Sequence, residues 1–285
     1  MPVPSPAALE RALVRLRQRG EALPVEEVAR ELLALRAPLA PGLARRLMAA
    51  VLGAPPGGVP DRIEARHLRP SPAAELVDAP LEKGRFAVVD LETTGLAAER
   101  CHILEIGAVR IEGLERTERF STLIRPPGRI PASITALTGI DRSQVEDAPR
   151  PRAALARFRS WLAAGAPAAF AAHNAAFDSR FLARGFEAHG LPPYRGPVVC
   201  TRRLARRALP RLGRYHLDQL CAQFGIANPG RHRGPGDAEA TARVLIELIG
   251  LARAEHGLAS VGDLLDWQER PPARRPRRPG RAATS

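Results

Sequence analysis

Four acidic residues and one histidine stand beside apolar stretches in three separate segments of this 285-residue chain. The segments are F-A-V-V-D-L-E-T-T-G-L, A-A-H-N-A-A-F-D and H-R-G-P-G-D, and the residues are Asp90, Glu92, Asp178, His232 and Asp237. A lone carboxylate is expensive to keep ionised in apolar surroundings. Several carboxylates gathered together also repel one another unless a cation neutralises them. The pattern therefore favours a fold that collects the three segments around a bound cation.

The acidic set offers only oxygen ligands, which suit hard divalent ions such as Mg²⁺ or Mn²⁺. Asp90 and Glu92 are one residue apart at the end of a buried strand, so both side chains lie on the same face and can hold one metal together. A D-x-E pair alone is usually a solvated surface pair, but the apolar run before it favours burial. Acid clusters around paired metal ions hydrolyse phosphodiesters.

The other two segments each have a plain structural alternative. Asp178 lies in the first turns of a predicted helix, where the helix dipole favours any acid. Asp237 opens another predicted helix, and His232 lies in an irregular loop before it. Taken together, His232 and Asp237 are typical of a mobile general base beside a metal-ligating acid.

Residues next to the acids are candidates for substrate contact. Thr93 and Thr94 precede Gly95 in a turn whose backbone amides a nucleotide could approach closely. His173 and Asn174 stand just upstream of Asp178, where they either orient substrate or cap and brace the loop.

The formal net charge of +13 points toward a polyanionic partner. Lys83 is the only lysine among 43 basic residues, so part of this charge reflects a bias toward arginine. Between Glu187 and Asp218 there are no acids. This stretch predicts either a phosphate-tracking groove or a solvated face. Its arginines are Arg195, Arg202, Arg203, Arg206, Arg207, Arg211 and Arg214.

Membrane insertion and secretion are not expected. No apolar run approaches the length of a transmembrane helix, and the N-terminus lacks the pattern of a signal peptide. Three unclustered cysteines fit a reducing compartment better than a disulfide framework or a zinc site. We expect a cytoplasmic protein without a membrane partner.

The chain divides into four parts. Residues 1–69 read as a small helical domain with three amphipathic helices and a short strand, which is either winged-helix-like or a helical extension of the main domain. Residues 70–83 read as a linker, and 84–252 as the main domain. Residues 253–285 form a C-terminal extension whose basic tail, from about residue 271, should be disordered.

The main domain predicts an α/β fold. Three strand candidates with short connections indicate an antiparallel meander, beginning with F-A-V-V, I-L-E-I-G-A-V-R-I and R-F-S-T-L-I-R. Helices then alternate with strands at A-A-F-A-A and P-V-V-C, the helices falling at 151–163, 175–189, 201–208, 216–224 and 237–252. This order favours a mixed five-stranded sheet flanked by helices.

The motif series D-x-E, H-N-x-x-F-D and H-x-x-x-x-D resembles the DEDDh family of 3′→5′ exonucleases, and within it the proofreading epsilon subunits of bacterial DNA polymerase III. The resemblance covers about residues 84–252, including I-L-E-I-G-A-V, P-A-S-I-T-A-L-T-G-I and H-L-D-Q-L-C. It implies a ribonuclease H-like fold, two divalent cations (Mg²⁺ or Mn²⁺) and release of nucleoside 5′-monophosphates.

The resemblance also implies individual roles. Asp90, Glu92 and Asp237 would hold the metal that binds the attacking water. Asp90 would bridge to a second metal, and Asp178 would ligate through water. His232 would accept the proton of the attacking water. Leu96 resembles the position that wedges against the terminal base, and Thr94 the position beside the 3′ hydroxyl, with turn packing as the alternative for both.

Three functions remain open at this point. The preferred one is a DNA exonuclease of proofreading or repair that acts on single-stranded 3′ ends, with a DNA polymerase as a candidate partner. The second is an exoribonuclease that trims RNA 3′ ends with the same site. The third is a nucleic-acid-binding regulatory module whose N-terminal helices read a duplex.

Overall fold

The computed structural model describes residues 12, 15, 16, 19, 21–33, 35, 37–52, 58–64, 76–165 and 168–270. Its N-terminal elements are β1 (Ala22–Pro24), α1 (Val25–Leu32), α2 (Pro41–Leu52) and β2 (Arg62–Glu64). The two strands pair antiparallel, and the buried side chains, among them Val28, Leu32 and Met48, form a core of their own. Two of the three predicted helices are present, and the first lies mostly outside the described residues. The winged-helix-like arrangement stays a prediction.

A five-stranded mixed sheet begins at Arg85. Its strands are β3 (Arg85–Thr93), β4 (Ile103–Glu112), β5 (Glu115–Leu123), β6 (Ala169–Ala172) and β7 (Val198–Cys200). The strand order is β5-β4-β3-β6-β7. The first three strands form the predicted antiparallel meander, while β6 is parallel to β3 and β7 parallel to β6. The predicted fold class is confirmed for this part of the chain.

Helices cover both faces of the sheet. They are α3 (Ala132–Thr138), α4 (Arg142–Val145), α5 (Pro151–Ala163), α6 (Ala176–Ala188), α7 (Thr201–Ala208), α8 (Leu217–Phe224), α9 (Gly234–His256) and α10 (Val261–Glu269). Alternate residues of β3 enter different cores, because successive strand side chains point to opposite faces. Phe86 and Val88 join the core beneath α7 to α10. Ala87 and Val89 join the core beneath α5 and α6.

The folded unit extends beyond the boundaries that the sequence indicates. Leu76 and Leu81 lie in the segment interpreted as a linker, and both are buried in the same core as Leu264 and Trp267 of α10. The patterning did not predict α3, α4 or α10. Part of the expected linker and the start of the C-terminal extension therefore pack as structural elements, whereas the basic tail lies outside the described residues.

The side chain of Gln268 in α10 bonds to the backbone of β7, which is an edge strand of the sheet. Its side-chain amide donates to the carbonyl of Val198 (2.8 Å), and its side-chain oxygen accepts from the N–H of Cys200 (2.9 Å). The side chain thus satisfies backbone groups that an edge strand would otherwise expose. Within the described part of the chain, none of the helices combines the length and apolar character needed to cross a bilayer.

Candidate active site

Strand β3 carries Asp90 and Glu92 to one face near its end. They continue the alternation of Phe86 and Val88, so both side chains point to the face covered by α9. The hydrophobic residues of β3 are buried, while Asp90 and Glu92 are partly accessible. The strand therefore works as a buried support that ends in two carboxylates.

Helix α9 brings Asp237 to the same place because two glycines allow its backbone to lie directly on β4. Gly107 is the register partner of Asp90. A Cβ on Gly107 would come within 2.0 Å of the Gly234 carbonyl carbon, a distance that no side chain can occupy. The first turn of α9 thus rests on the strand next to Asp90.

Three carboxylates meet at this junction. Oxygens of Asp90, Glu92 and Asp237 all lie within 4.8 Å of one another, a spacing at which they could hold a metal ion. Asp178, the fourth sequence-predicted acid, is not among the three groups that meet this distance. Three acids at this distance repel one another strongly unless protons or cations are present.

Burial, together with nearby acids, raises the pKa of each member of the trio. Burial is the largest cause for Asp90, whose pKa is raised well above its ordinary value, with Asp178 and Asp237 contributing next. Burial and the charge of Asp237 raise the pKa of Glu92 to about 7. Burial likewise raises the pKa of Asp237. The site therefore favours whatever supplies positive charge.

Asp178 lies at the start of α6, only 2% exposed. Its carboxylate accepts the backbone N–H of Leu91, which ties α6 to β3 between the two strand acids. Burial raises its pKa well above the ordinary value, in spite of this hydrogen bond. The charge of Asp178 therefore acts on Asp90 of the trio, while its own carboxylate is held by a backbone hydrogen bond.

His232 lies in the loop immediately before α9, in a left-handed backbone conformation with φ of 60°. Non-glycine residues adopt this conformation at a cost and need local support. Asp237 provides it, because its carboxylate accepts the backbone N–H of His232 (3.0 Å). Asn228 donates to the other oxygen of Asp237 (2.6 Å). The Asp237 carboxylate, itself a metal-ligand candidate, is thus also hydrogen-bonded to the loop that carries His232.

Glu105 is the residue of this site that sequence reasoning missed. It is buried, lies directly opposite Glu92 in the register of β3 and β4, and accepts two hydrogen bonds from the guanidinium of Arg233 (2.7 and 3.0 Å). It also accepts the N–H of Gly234 (2.9 Å). The available signal was an acid inside the apolar strand I-L-E-I-G-A-V, the same signal that identified Asp90.

The turn after the strand acids is held by its own hydrogen bonds. The Thr94 N–H donates to the carbonyl of His102 (2.8 Å), and the Thr94 hydroxyl accepts from the His102 N–H (2.9 Å). The Thr93 hydroxyl donates to the Gly95 carbonyl (2.7 Å). Leu96 at the tip is 81% exposed, which is unusual for a large apolar side chain. The structure therefore presents Leu96 to solvent on a fixed turn near the acids.

His173 and Asn174 follow β6. Both ring nitrogens of His173 have partners at 3.0 Å, the hydroxyl of Thr201 and the carbonyl of Tyr215. Burial lowers the pKa of His173 to about 4, so the ring is neutral near pH 7. This geometry favours the bracing role over a direct contact with substrate. Asn174 is exposed, with φ of 67°.

Several arginines of the basic stretch have partners within the protein. Arg203 pairs with Glu269. Arg207 lies over the ring of Trp267 at 5.5 Å and donates to the Arg270 carbonyl. The long-range partners belong to α10 and the residue after it, which the sequence did not predict. This part of the stretch therefore serves at least in part to dock α7 on α10.

The fold and the acidic junction together define the class: a nuclease domain with the ribonuclease H-like fold. The family model of exonucleases (RNase_T) matches residues 87–245. The chain belongs to this exonuclease family, and the family resemblance predicted from the motifs is confirmed.

Two relatives illustrate the match. DNA polymerase III subunit epsilon of Aquifex aeolicus is 32% identical over 182 residues, which cover 64% of this chain and 89% of the relative. DNA polymerase III PolC-type of Oceanobacillus iheyensis is 38% identical over 172 residues, 60% of this chain but only 12% of the relative. The chain thus spans a small part of the length of its PolC-type relatives.

Solved structures agree with the fold. Exonuclease X in complex with 5′ overhanging duplex DNA has a TM-score of 0.51 and 26% identity, covering 64% of this chain and 99% of that one. Exonuclease I of E. coli in complex with a dA16 oligonucleotide has a TM-score of 0.54 and 19% identity, covering 64% and 42% of the two chains. The latter shows similarity of fold alone.

Proposed function

We propose that this protein is a 3′→5′ exonuclease that removes nucleoside 5′-monophosphates from DNA ends with two divalent cations, Mg²⁺ or Mn²⁺. The observation that carries the proposal is the junction of Asp90, Glu92 and Asp237, whose carboxylate oxygens lie within 4.8 Å of one another. Membership in the exonuclease family supports the reaction class.

The donor set suits hard divalent cations. It consists of carboxylate oxygens without sulfur or imidazole among the three converging groups. The raised pKa values of Asp90 and Glu92 mean that positive charge at this point is favoured. Asp90, Glu92 and Asp237 would hold the first ion, while Asp90 and Asp178 would serve the second. When bound, such ions stabilise negative charge on the phosphate and lower the pKa of coordinated water.

His232 is assigned the role of general base. It precedes Asp237 by five residues and is joined to it through the backbone N–H. Its loop ends at Arg233, which is bound to Glu105, so the backbone that carries the imidazole is restrained. Histidine can accept a proton near neutral pH and release it again.

Leu96 and Thr94 are assigned to the terminal nucleotide. Leu96 offers an exposed apolar surface on the turn that follows the strand acids, and an apolar side chain can pack against the face of a terminal base. Thr94 keeps the turn in place through its hydrogen bonds to His102. Thr93 supports the turn through its hydrogen bond to the Gly95 carbonyl. His173 braces the segment after β6 through Thr201 and Tyr215, and the exposed Asn174 is assigned to substrate contact.

DNA is the preferred substrate because the relatives are DNA polymerase III proteins and exonuclease X is described with duplex DNA. The same relatives make a replicative DNA polymerase the partner to test, by co-elution of the two purified proteins. Cleavage of RNA with the same site is the competing substrate choice.

The test uses DNA and RNA strands labelled at the 5′ end, incubated with purified protein in Mg²⁺ or Mn²⁺. We expect DNA to shorten stepwise from the 3′ end, with activity lost in EDTA and in Asp90→Ala. A matched control is Asp147→Ala, which removes an exposed acid away from the trio. Intact DNA and RNA under both metals would reject the proposal, and preferential RNA shortening would reject the DNA assignment.

A further inference from the structure

A small pocket beside the end of β5 is lined by arginine and proline. Its lining residues are Arg125, Pro126, Pro127, Arg142, Arg150 and Pro151, around a volume of about 240 Å³. These lining residues include no carboxylate. Three guanidinium groups around one cavity without an acid make it a positively charged concavity, which focuses potential on an anion.

These arginines differ from many others in the fold, which acids neutralise. Arg125 is fixed by the backbone: its guanidinium donates to the Glu146 carbonyl (2.9 Å), and its N–H to the Pro149 carbonyl (3.0 Å). Among the residues that the structure describes, no ion pair holds Arg125, Arg142 or Arg150, in contrast to Arg203 with Glu269. Their charge is therefore available to a ligand.

The pocket continues into a larger cleft. The cleft, of about 510 Å³, shares Pro127, Arg150 and Pro151 with the pocket. Its lining includes the apolar side chains of Ile103, Ile124, Leu155 and Phe181. Its charged lining residues are Arg150, Arg152 and Arg184 with one acid, Glu99. Apolar surface bordered by cationic groups suits nucleotides, whose bases pack on the apolar part while phosphates meet the charges.

The pocket lies at the end of the sheet that also carries the candidate active site. The Ile124 N–H, just after β5, donates to the Leu104 carbonyl (2.8 Å), next to Glu105. Only β4 separates β5 from β3, so the two strands are roughly 10 Å apart. A nucleic-acid strand with its 3′ end at the acids could reach this distance within a few nucleotides.

We propose that the arginine pocket binds backbone phosphates of the substrate strand a few nucleotides away from the cleaved end, while the adjoining cleft receives bases. This inference rests on the proposed exonuclease function and adds a binding site outside the acidic junction. The sequence suggested that the stretch around Arg203 and Arg207 binds phosphates, but these two side chains have partners on α10. The pocket arginines take over part of that phosphate-binding role.

The test compares two double variants by fluorescence anisotropy with a labelled oligodeoxythymidine in EDTA, across a salt series. The pocket variant combines Arg142→Gln with Arg150→Gln, both exposed. The control combines Arg85→Gln with Arg157→Gln. Arg85 lies at the opposite end of β3 from the acids, and Arg157 lies about two turns beyond Arg150 along α5. Both variants remove the same amount of positive charge.

We expect the pocket variant to bind the strand more weakly, with a salt slope shallower by about 0.7 for each phosphate that is no longer neutralised. The control should keep the wild-type slope. Equal slopes for the pocket variant and wild type, or equal changes in both variants, would overturn the pocket assignment.

Hydrolysis of bis(p-nitrophenyl) phosphate in Mn²⁺ separates this inference from the proposed function. This small diester cannot span the acids and the pocket, so we expect the pocket variant to cleave it at the wild-type rate. Loss of diester cleavage in the pocket variant but not in the control variant would contradict a distant phosphate site. If the wild-type protein cleaves neither the diester nor DNA, the exonuclease proposal fails, while the anisotropy slopes still decide the pocket.

Discussion

Glu92 and Glu105 stand directly opposite one another on β3 and β4, on the face covered by α9. Like charges in this position repel, and Arg233 compensates by donating two hydrogen bonds to Glu105. Its charge also lowers the pKa of Glu92, which burial and neighbouring acids raise. The loop that carries His232 is thereby fastened to the strand next to the metal-ligand candidates.

Replacing Arg233 should destabilise the fold more than replacing its neighbour Arg231. Arg233→Gln leaves the buried Glu105 without its ionic partner, a change that costs about 1–3 kcal/mol. Arg231 pairs with Asp218, and both side chains are largely exposed, so Arg231→Gln should cost less than about 1 kcal/mol. Urea unfolding of the two variants measures the difference. Equal losses of stability would show that the Glu105 pair is not structurally important.

Gly107→Ala should disrupt the junction of α9 with β4. The new methyl group would meet the backbone of Gly234 at 2.0 Å, so we expect a loss of about 3 kcal/mol or more and strongly reduced activity. Gly250→Ala is the matched control on α9, since a Cβ there meets nothing within 4 Å. Alanine should stabilise that helix position by up to about 1 kcal/mol. A tolerated Gly107→Ala would contradict the close approach.

The stability of the metal-free protein should respond to the titration of Glu92. Its folded-state pKa of about 7 exceeds the ordinary 4.5, so the stabilising contribution of the protonated form is present below pH 4.5 and lost as pH rises through about 7. Glu92→Gln imitates the protonated form. In EDTA, its Tm relative to wild type should therefore rise between pH 5 and 8.

In excess Mn²⁺ we expect the opposite result, with the Tm of Glu92→Gln below that of the wild type. An ion bound to the ionised carboxylates stabilises the wild type more than the variant. A Tm difference that stays constant across the pH range in EDTA would show that Glu92 does not titrate as its surroundings require.

His232→Ala should separate catalysis from metal binding. Removal of a general base lowers kcat by about 100- to 10,000-fold, whereas Asp237 keeps its carboxylate for the ion. Mn²⁺ titration should give wild-type affinity for His232→Ala and clearly weaker binding for Asp237→Asn. Activity retained by His232→Ala would remove the histidine from the mechanism.

The sequence predicted elements well where local pattern and packing agree. Helix α5 spans Pro151–Ala163 as expected, since Pro151 starts it and its apolar stripe reaches the core. The strand acids were identifiable because a charged residue follows an apolar run. The same reasoning applied to Glu105 would have found it, but its partner Arg233 lies 128 positions away, and no local pattern reveals such a pair.

Other features depend on contacts that spacing does not encode. Helix α10 and its amide bridge from Gln268 to β7 join residues about 70 positions apart. The arginines of α7 resemble a nucleic-acid surface in sequence, yet Arg207 has its ring partner, Trp267, on that unpredicted helix. Without α10, the sequence could not distinguish binding arginines from structural ones.

The most direct test of the proposed activity is chromatography of the products released from DNA in Mn²⁺ by wild-type protein and by Asp90→Asn. We predict nucleoside 5′-monophosphates released one at a time by the wild type, and none by the variant, because Asp90 belongs to the three-carboxylate junction and is also the trio member that Asp178 affects most directly. Nucleoside 3′-monophosphates, internal fragments or an equally active Asp90→Asn would contradict it.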